Sequence, residues 1–221
     1  YKATRSATPE DLLTQFPITK DILRAMGIAV LEKPGIEADD IIGIISKYCD
    51  EHGDNCVIVT GDRDSFQLIS DNTVVKLATN KQDIIFNKET LKEKYGLEPE
   101  RMTDLKALMG DSSDNIPGIK GVGEKTALSL LEKYQTLDGI YEHSDEIKGS
   151  LGEKVRNGKE SAYLSLELGK ILRYGDIGTD IDKIEPPHPD TKRLSEIFSE
   201  LELRSLAKKY SAEEEENEAM E

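Results

Sequence analysis

Beyond residue 88 no segment of the chain has the character of a β-strand. Six successive stretches, "KETLKEKYG", "EPERMTDLKALMG", "GEKTALSLLEKYQ", "TLDGIYEHSDEIKGSLGEKVRNG", "KESAYLSLELGKILRY" and "DTKRLSEIFSELELRSLAKKY", carry apolar residues at helical spacing. Any sheet must therefore come from residues 1–88. There the periods alternate. "PEDLLTQFPITKDILRAM" predicts one helix over 9–26, with Thr8 as N-cap, Pro9 in the first turn and Gly27 as its stop. "IAVLEKPG" predicts a short strand and turn, and 36–53 a second helix ending at Gly53. "NCVIVTGD" is a continuous apolar run closed by Gly-Asp, the pattern of a buried strand. "RDSFQLIS" predicts a short helix, and "TVVKLAT" with "QDIIFN" an edge hairpin. The expected architecture is an α/β part, 1–88, followed by an all-helical part, 89–210.

Charge constrains the partners. The chain has 221 residues, 29 basic and 44 acidic, for a formal net charge of -15. Its last stretch, 211–221, is dominated by "EEEENEAME" and has no apolar face, so it reads as a disordered tail or linker. No repeat is read outside this low-complexity tail. So acidic a body disfavours nucleic acid, unless carboxylates are clustered to hold cations that reverse the local field. No apolar run reaches membrane-spanning length and no signal peptide is present, so a soluble protein with no membrane partner is expected. Cys49 and Cys56 show neither metal spacing nor a disulfide framework, which suits a reducing cytosol.

Carboxylates gather at three places. "EADD" puts Glu37, Asp39 and Asp40 at a helix start; first-turn acids complementing the helix dipole are the plain alternative. "VTGDRD" puts Asp62 and Asp64 just past the C-terminal end of a strand, where open α/β sheets place ligands. An Asp capping the next helix is the alternative there. "GDSSDN" puts Asp111 and Asp114 on a turn, for which turn chemistry alone is a sufficient reason. Three such clusters together favour a hard-cation site for Mg²⁺ or Mn²⁺. Two such ions about 4 Å apart are the usual device for phosphodiester cleavage. His52, His143 and His188 are scattered, and with no Cys-His constellation zinc is disfavoured.

"PGIKGVGEKTA" places Gly118, Gly121 and Gly123 before a helix from about Glu124, with Lys120 and Lys125 adding charge. Glycines admit close backbone approach, and a helix N-terminus offers N–H groups to an anion. Glu124 after Gly123 excludes a P-loop. The segment is either a plain helix connector or a helix-hairpin-helix grip on a phosphate backbone, which would be independent of base sequence.

Taken together, "YKATR", "EADDIIG", "VTGDRDSFQLI", "KALMGDSSDNIPGIKGVGEKTA" and "LELRSLAKKY" resemble, in order, the 5′ nuclease (5′-3′ exonuclease) domain of bacterial DNA polymerase I, within the flap endonuclease family. The resemblance covers residues 1 to about 210. It implies a PIN-like α/β fold followed by a helix-hairpin-helix part. It implies a metal-dependent enzyme of the bacterial cytoplasm and nucleoid that cuts 5′ flaps and degrades DNA or RNA primers from a 5′ end. Its partners would be flapped or nicked DNA and RNA–DNA hybrid, with a polymerase domain in the same native chain. Glu37, Asp39, Asp40, Asp62, Asp64, Asp111 and Asp114 match the family's metal-site carboxylates. Gly118, Lys120, Gly121, Val122, Gly123, Lys125 and Thr126 match its DNA-contacting turn, where carbonyls also hold K⁺. Lys2 and Arg5 match a basic pair that steers the scissile phosphate. Strands bearing two further metal-binding Asp residues precede "YKATR" in the family, so an N-terminally truncated form is expected. That leaves a competing reading, a fragment that binds duplex DNA and cuts nothing. A phosphatase or ribonuclease of another metal-dependent α/β class is a third, but it does not require the glycine turn.

Overall fold

The computed structural model describes residues 7–80 and 82–218. By its contacts the chain divides into two units, one spanning Gly35–Asp176 and the other 7–34 with 177–218.

The first unit is built on a three-stranded sheet. Strands β1 (Cys56–Thr60) and β2 (Thr73–Leu77) run parallel, and β3 (Ile84–Phe86) returns antiparallel beside β2, as the hairpin pattern predicts. A 3-10 helix, Arg63–Leu68, makes the crossover from β1 to β2. Helix α3 (Ala38–His52) precedes the sheet and stops at Gly53, whose φ of 75° suits glycine at a C-terminal cap. The remaining helices are α4 (Lys88–Tyr95), α5 (Met102–Met109), α6 (Glu124–Tyr134), α7 (Leu137–Glu142), α8 (Gly149–Asn157) and α9 (Lys159–Gly169). Asn87 and Thr90 close a reciprocal capping box at the start of α4.

One apolar cluster runs through this unit, from Phe66 and Val75 in the sheet region to Leu108, Leu131, Ile140 and Val155 in the helices. Phe66 is fully buried, with its ring 4.5 Å from that of Phe86. Burying a side chain of this size stabilises by about 1.5–3 kcal/mol. The strands end at Phe86, yet the core continues through the helices that follow.

In the second unit, α1 (Glu10–Leu13) and α2 (Gln15–Ala25) join α10 (Thr191–Glu200) and α11 (Arg204–Glu218). Leu194, Ile197 and Phe198 form its buried face.

Several expected elements differ. The helix over 9–26 breaks at Thr14, because Pro17 lacks an N–H and its ring excludes the carbonyl one turn earlier. Pro9, not Thr8, is the N-cap. Residues 28–35 form no strand, since among the described residues no segment pairs with them. β1 is buried on one face only: Ile58 is 5% exposed, whereas Val57 and Val59 are 58% and 63% exposed. The single helix expected over 136–158 divides into α7, a 3-10 turn (Ser144–Glu146) and α8. The one expected over 190–210 divides at Glu202, whose φ is 58°. Helix α9 stops at Gly169 rather than near 174. α11 carries helical backbone to Glu218, into the acidic run read as disordered, because Ala and Glu are strong helix formers.

Candidate metal centre and nucleic-acid interface

Where β1 ends, the chain must turn sharply into the 3-10 helix, and Asp62 caps that turn. Its Oδ1 accepts the N–H of Asp64 at 2.9 Å, and its own N–H donates to the Thr60 hydroxyl at 3.0 Å. The cap leaves Asp64 facing α5 across a cavity of about 610 Å³, which both aspartates line with Asp111 and Lys106. Asp62 thus serves the local fold, as the capping alternative supposes, and borders the site as well.

Asp111 opens a tight turn after α5. Its backbone exchanges two hydrogen bonds with Ile116, at 2.7 and 2.8 Å, and its carboxylate accepts the Ser113 N–H at 2.8 Å. Two glycines close the turn's base. A Cβ on Gly118, where φ is +59°, would lie 2.3 Å from the Gly110 nitrogen, so no larger residue fits. This geometry tucks Asp114 inward, where it is 7% exposed. Carboxylate oxygens of Asp64, Asp111 and Asp114 all lie within 4.8 Å of one another. Hard oxygen donors that close, one from the 3-10 helix and two from the turn after α5, fit Mg²⁺ or Mn²⁺.

The remaining acids of the predicted set stand apart from that trio. Glu37 is the N-cap residue of α3, and Asp39 and Asp40 occupy its first turn. Asp40 accepts the Leu172 N–H at 2.8 Å. The preceding residue, Ile171, donates to Gln67 Oε1 at 3.0 Å, and Gln67 lines the cavity. The start of α3 is thus tied to the cavity wall, but its acids supply no oxygen to the 4.8 Å group. Lys2 and Arg5 lie outside the described residues.

A residue the sequence reading missed is Lys106. It projects from α5 with its side chain only 10% accessible, and its ammonium donates to Asp64 and, at 3.0 Å, to Asp111. Burial alone would lower its pKa, but the two carboxylates outweigh burial and raise it. Burial raises the pKa of Asp64 despite Lys106, with the charges of Asp62 and Asp111 adding to the effect. Burial also pushes Asp111 upward, but Ser113 and Lys106 prevail and hold it at about 2. The available signal was "DLKAL": Lys106 stands among Leu105, Ala107 and Leu108, all buried, so a charge there needs a partner.

The glycine turn is a true hairpin between α5 and α6. Gly118 donates its N–H to Ser165 Oγ at 2.9 Å and accepts from Ser161 at 2.6 Å, so it shapes the turn from within. Val122 is buried and presents only backbone. Lys120, Gly121, Gly123 and Lys125 are exposed, Thr126 is half-buried, and no side chain caps the start of α6.

The same pattern recurs, contrary to the repeat-free reading. Ile119-Lys120-Gly121 with Gly123-Glu124-Lys125 is echoed by Ile147-Lys148-Gly149 with Gly152-Glu153-Lys154. Gly121 and Gly149 both have positive φ, 78° and 67°. Both hairpins border one cleft of about 650 Å³, lined by Lys120, Gly121, Lys154, Asn157 and Ser161 among others. The one-residue offset between the copies hid the repeat.

No helix among the described residues is long and apolar enough to cross a membrane. Among curated proteins, the chain is 41% identical over 218 residues to DNA polymerase I of Caldicellulosiruptor bescii, covering 97% of this chain and 26% of that protein. It is 39% identical over 221 residues to DNA polymerase I of Bacillus caldotenax, covering 99% and 25%. The chain thus spans about a quarter of the length of these relatives. Among solved structures, the fold matches the D15 protein of T5 co-crystallised with metal ions, with a TM-score of 0.65 and 19% identity, over 96% of this chain and 76% of that one. It also matches the bacteriophage T5 D15 flap endonuclease with DNA and metal ions, at 0.63 and 18%, over 96% and 71%. Residues 1–96 match the family model of the 5′-3′ exonuclease N-terminal resolvase-like domain, and 97–192 that of the 5′-3′ exonuclease C-terminal SAM fold. With the two halves matched in order and without a gap, the chain belongs to the 5′-3′ exonuclease family.

Proposed function

We propose that the chain is a metal-dependent 5′ nuclease that hydrolyses phosphodiester bonds of DNA at 5′ ends and flaps, and of RNA primers in RNA–DNA hybrid. The observation carrying this is the convergence of Asp64, Asp111 and Asp114 to within 4.8 Å. These three with Asp62 would hold one divalent ion, Mg²⁺ or Mn²⁺, and Glu37, Asp39 and Asp40 would take part in holding a second. Bound there, such ions supply Lewis acidity that lowers the pKa of water and neutralises charge on the phosphate.

The protein's own groups have separate tasks. Asp111, held at about 2 by Ser113 and Lys106, is ionised throughout the neutral range and needs no deprotonation to bind a cation. Asp114 brings its charge in from a buried position, so its ligand oxygen is fixed by the turn. The exposed Lys120, Lys125 and Gly121 would hold a duplex backbone by charge and N–H donation, without reading bases. Lys2 and Arg5 would steer the scissile phosphate, and carbonyls of the hairpin would take K⁺. Nicks and flaps of this kind arise beside a polymerase, so replication and repair in the bacterial cytoplasm are the fitting setting. The relatives named DNA polymerase I favour that setting.

The test is incubation with a 5′-labelled flap duplex and Mn²⁺, beside an EDTA control and Asp111→Asn. Cleavage lost in both controls supports the reading. Duplex binding without cleavage under any divalent ion would leave the non-catalytic binding reading in its stead.

A further inference from the structure

The cluster of acids at the end of α5 already contains a cation of its own. The Lys106 ammonium bridges Asp64 and Asp111, two of the three carboxylates whose oxygens lie within 4.8 Å of one another. Its stem passes the last residue of α9: a Cβ on Gly169 would lie 3.4 Å from Lys106 Cδ.

A divalent ion shared by these carboxylates needs oxygens at about 2.0–2.2 Å. The ammonium takes an oxygen of Asp111 at 3.0 Å and one of Asp64 more closely. Two cations on the same oxygens would stand only a few ångströms apart, and like charges at that range oppose one another. The cavity lined by Thr103, Lys106 and Met109 gives the side chain somewhere to withdraw.

We propose that Lys106 is a resident cation that competes with a divalent ion for Asp64 and Asp111, and so sets the divalent affinity of the cluster. It is a positioning residue: it keeps the acids together when no ion is bound, and it yields only to a cation of higher charge density. This rests on the reading that these carboxylates hold a divalent ion.

The test is a titration of Mn²⁺ into the purified chain without DNA, with free Mn²⁺ followed by its electron paramagnetic resonance signal. Lys106→Met keeps the stem and removes the charge. It should bind Mn²⁺ about tenfold more tightly than the wild type, because relieving one close like charge shifts an ionic equilibrium by that order. Lys106→Arg, which keeps the charge, should stay near wild type. Should the methionine loosen α5, judged by circular dichroism, Lys106→Gln gives the same comparison with a hydrogen-bond donor retained. Equal or weaker binding by the neutral variants overturns the proposal while leaving the nuclease reading intact. No Mn²⁺ bound by wild type or any variant overturns both.

Discussion

Lys154, on the second hairpin, donates to the carbonyl of Gly121 on the first at 3.4 Å. A Cβ on Gly121 would lie 3.0 Å from that same ammonium, and φ there is +78°. The two turns are thus locked by one lysine and one missing side chain. Gly121→Val should therefore act twice, straining the turn and displacing Lys154. It should abolish duplex binding measured by fluorescence anisotropy.

Lys154→Ala separates these effects. It removes one cation from the cleft and leaves the glycine. Affinity for duplex DNA should fall several-fold, and the slope of log affinity against log salt should drop by about 1, as for one lost phosphate contact. An unchanged slope would show that Lys154 only braces the turn. Lys47→Ala, on α3, serves as the control and should change neither.

Gly118→Ala should couple the fold to the site. Its Cβ would meet the Gly110 nitrogen at 2.3 Å, at a φ of +59°, so the turn bearing Asp111 and Asp114 must open. A loss above ~2 kcal/mol is expected from strain and overpacking combined. Urea denaturation measures it, and Mn²⁺ binding should weaken in the same variant. Stability lost with Mn²⁺ affinity retained would separate turn from site.

Mn²⁺ should stabilise the native chain, since the acids converge only when it is folded. An ion present at a hundredfold its dissociation constant contributes about 2.7 kcal/mol. The melting temperature should rise in millimolar Mn²⁺, and this rise should shrink in Asp114→Asn. A melting temperature unmoved by Mn²⁺ would count against the site.

Acid should act through Asp50. Burial favours its neutral form, but hydrogen bonds from Ser70, Arg173 (2.7 Å) and Thr73 outweigh burial and lower its pKa. A depressed carboxylate pKa gives stability that is present above the unfolded value of about 3.9 and is lost as pH falls through the folded one. Melting temperatures recorded from pH 6 down to pH 2 should show Asp50→Asn losing less below about pH 4 than the wild type does. Parallel curves would rule Asp50 out.

Much of this molecule was legible along the chain. "KETLKEKYG" spans α4, Gly53 ends α3, and β2 and β3 pair as a hairpin, because stops and turns act within a few residues. Gly-Asp after an apolar run marked the end of β1, "GDSSDN" the turn that carries two of the converging carboxylates, and "GIKGVGEK" the hairpin before α6. The breaks at 143–149 and 201–203 were not legible. Apolar spacing runs straight through both: Ile140, Tyr141, Ile147 and Val155 flank the first in one core, and Leu201, Leu203 and Leu206 keep the spacing through the second although they are exposed, while the backbone at Gly149 and Glu202 takes positive φ.

What the sequence by itself determined was the kind of local structure in which the candidate carboxylates and the glycine turn stand. What only the tertiary structure decided was which of them meet. Lys106 and Asp64 are 42 residues apart, and no periodicity relates them. They meet because packing sets α5 beside the end of β1, and packing is decided by the whole core at once. The same holds for the acids of α3, whose spacing is like that of a site but whose position is set by where their helix docks. Local pattern depends on neighbours along the chain, whereas a charge cluster depends on distances that only the closed core fixes.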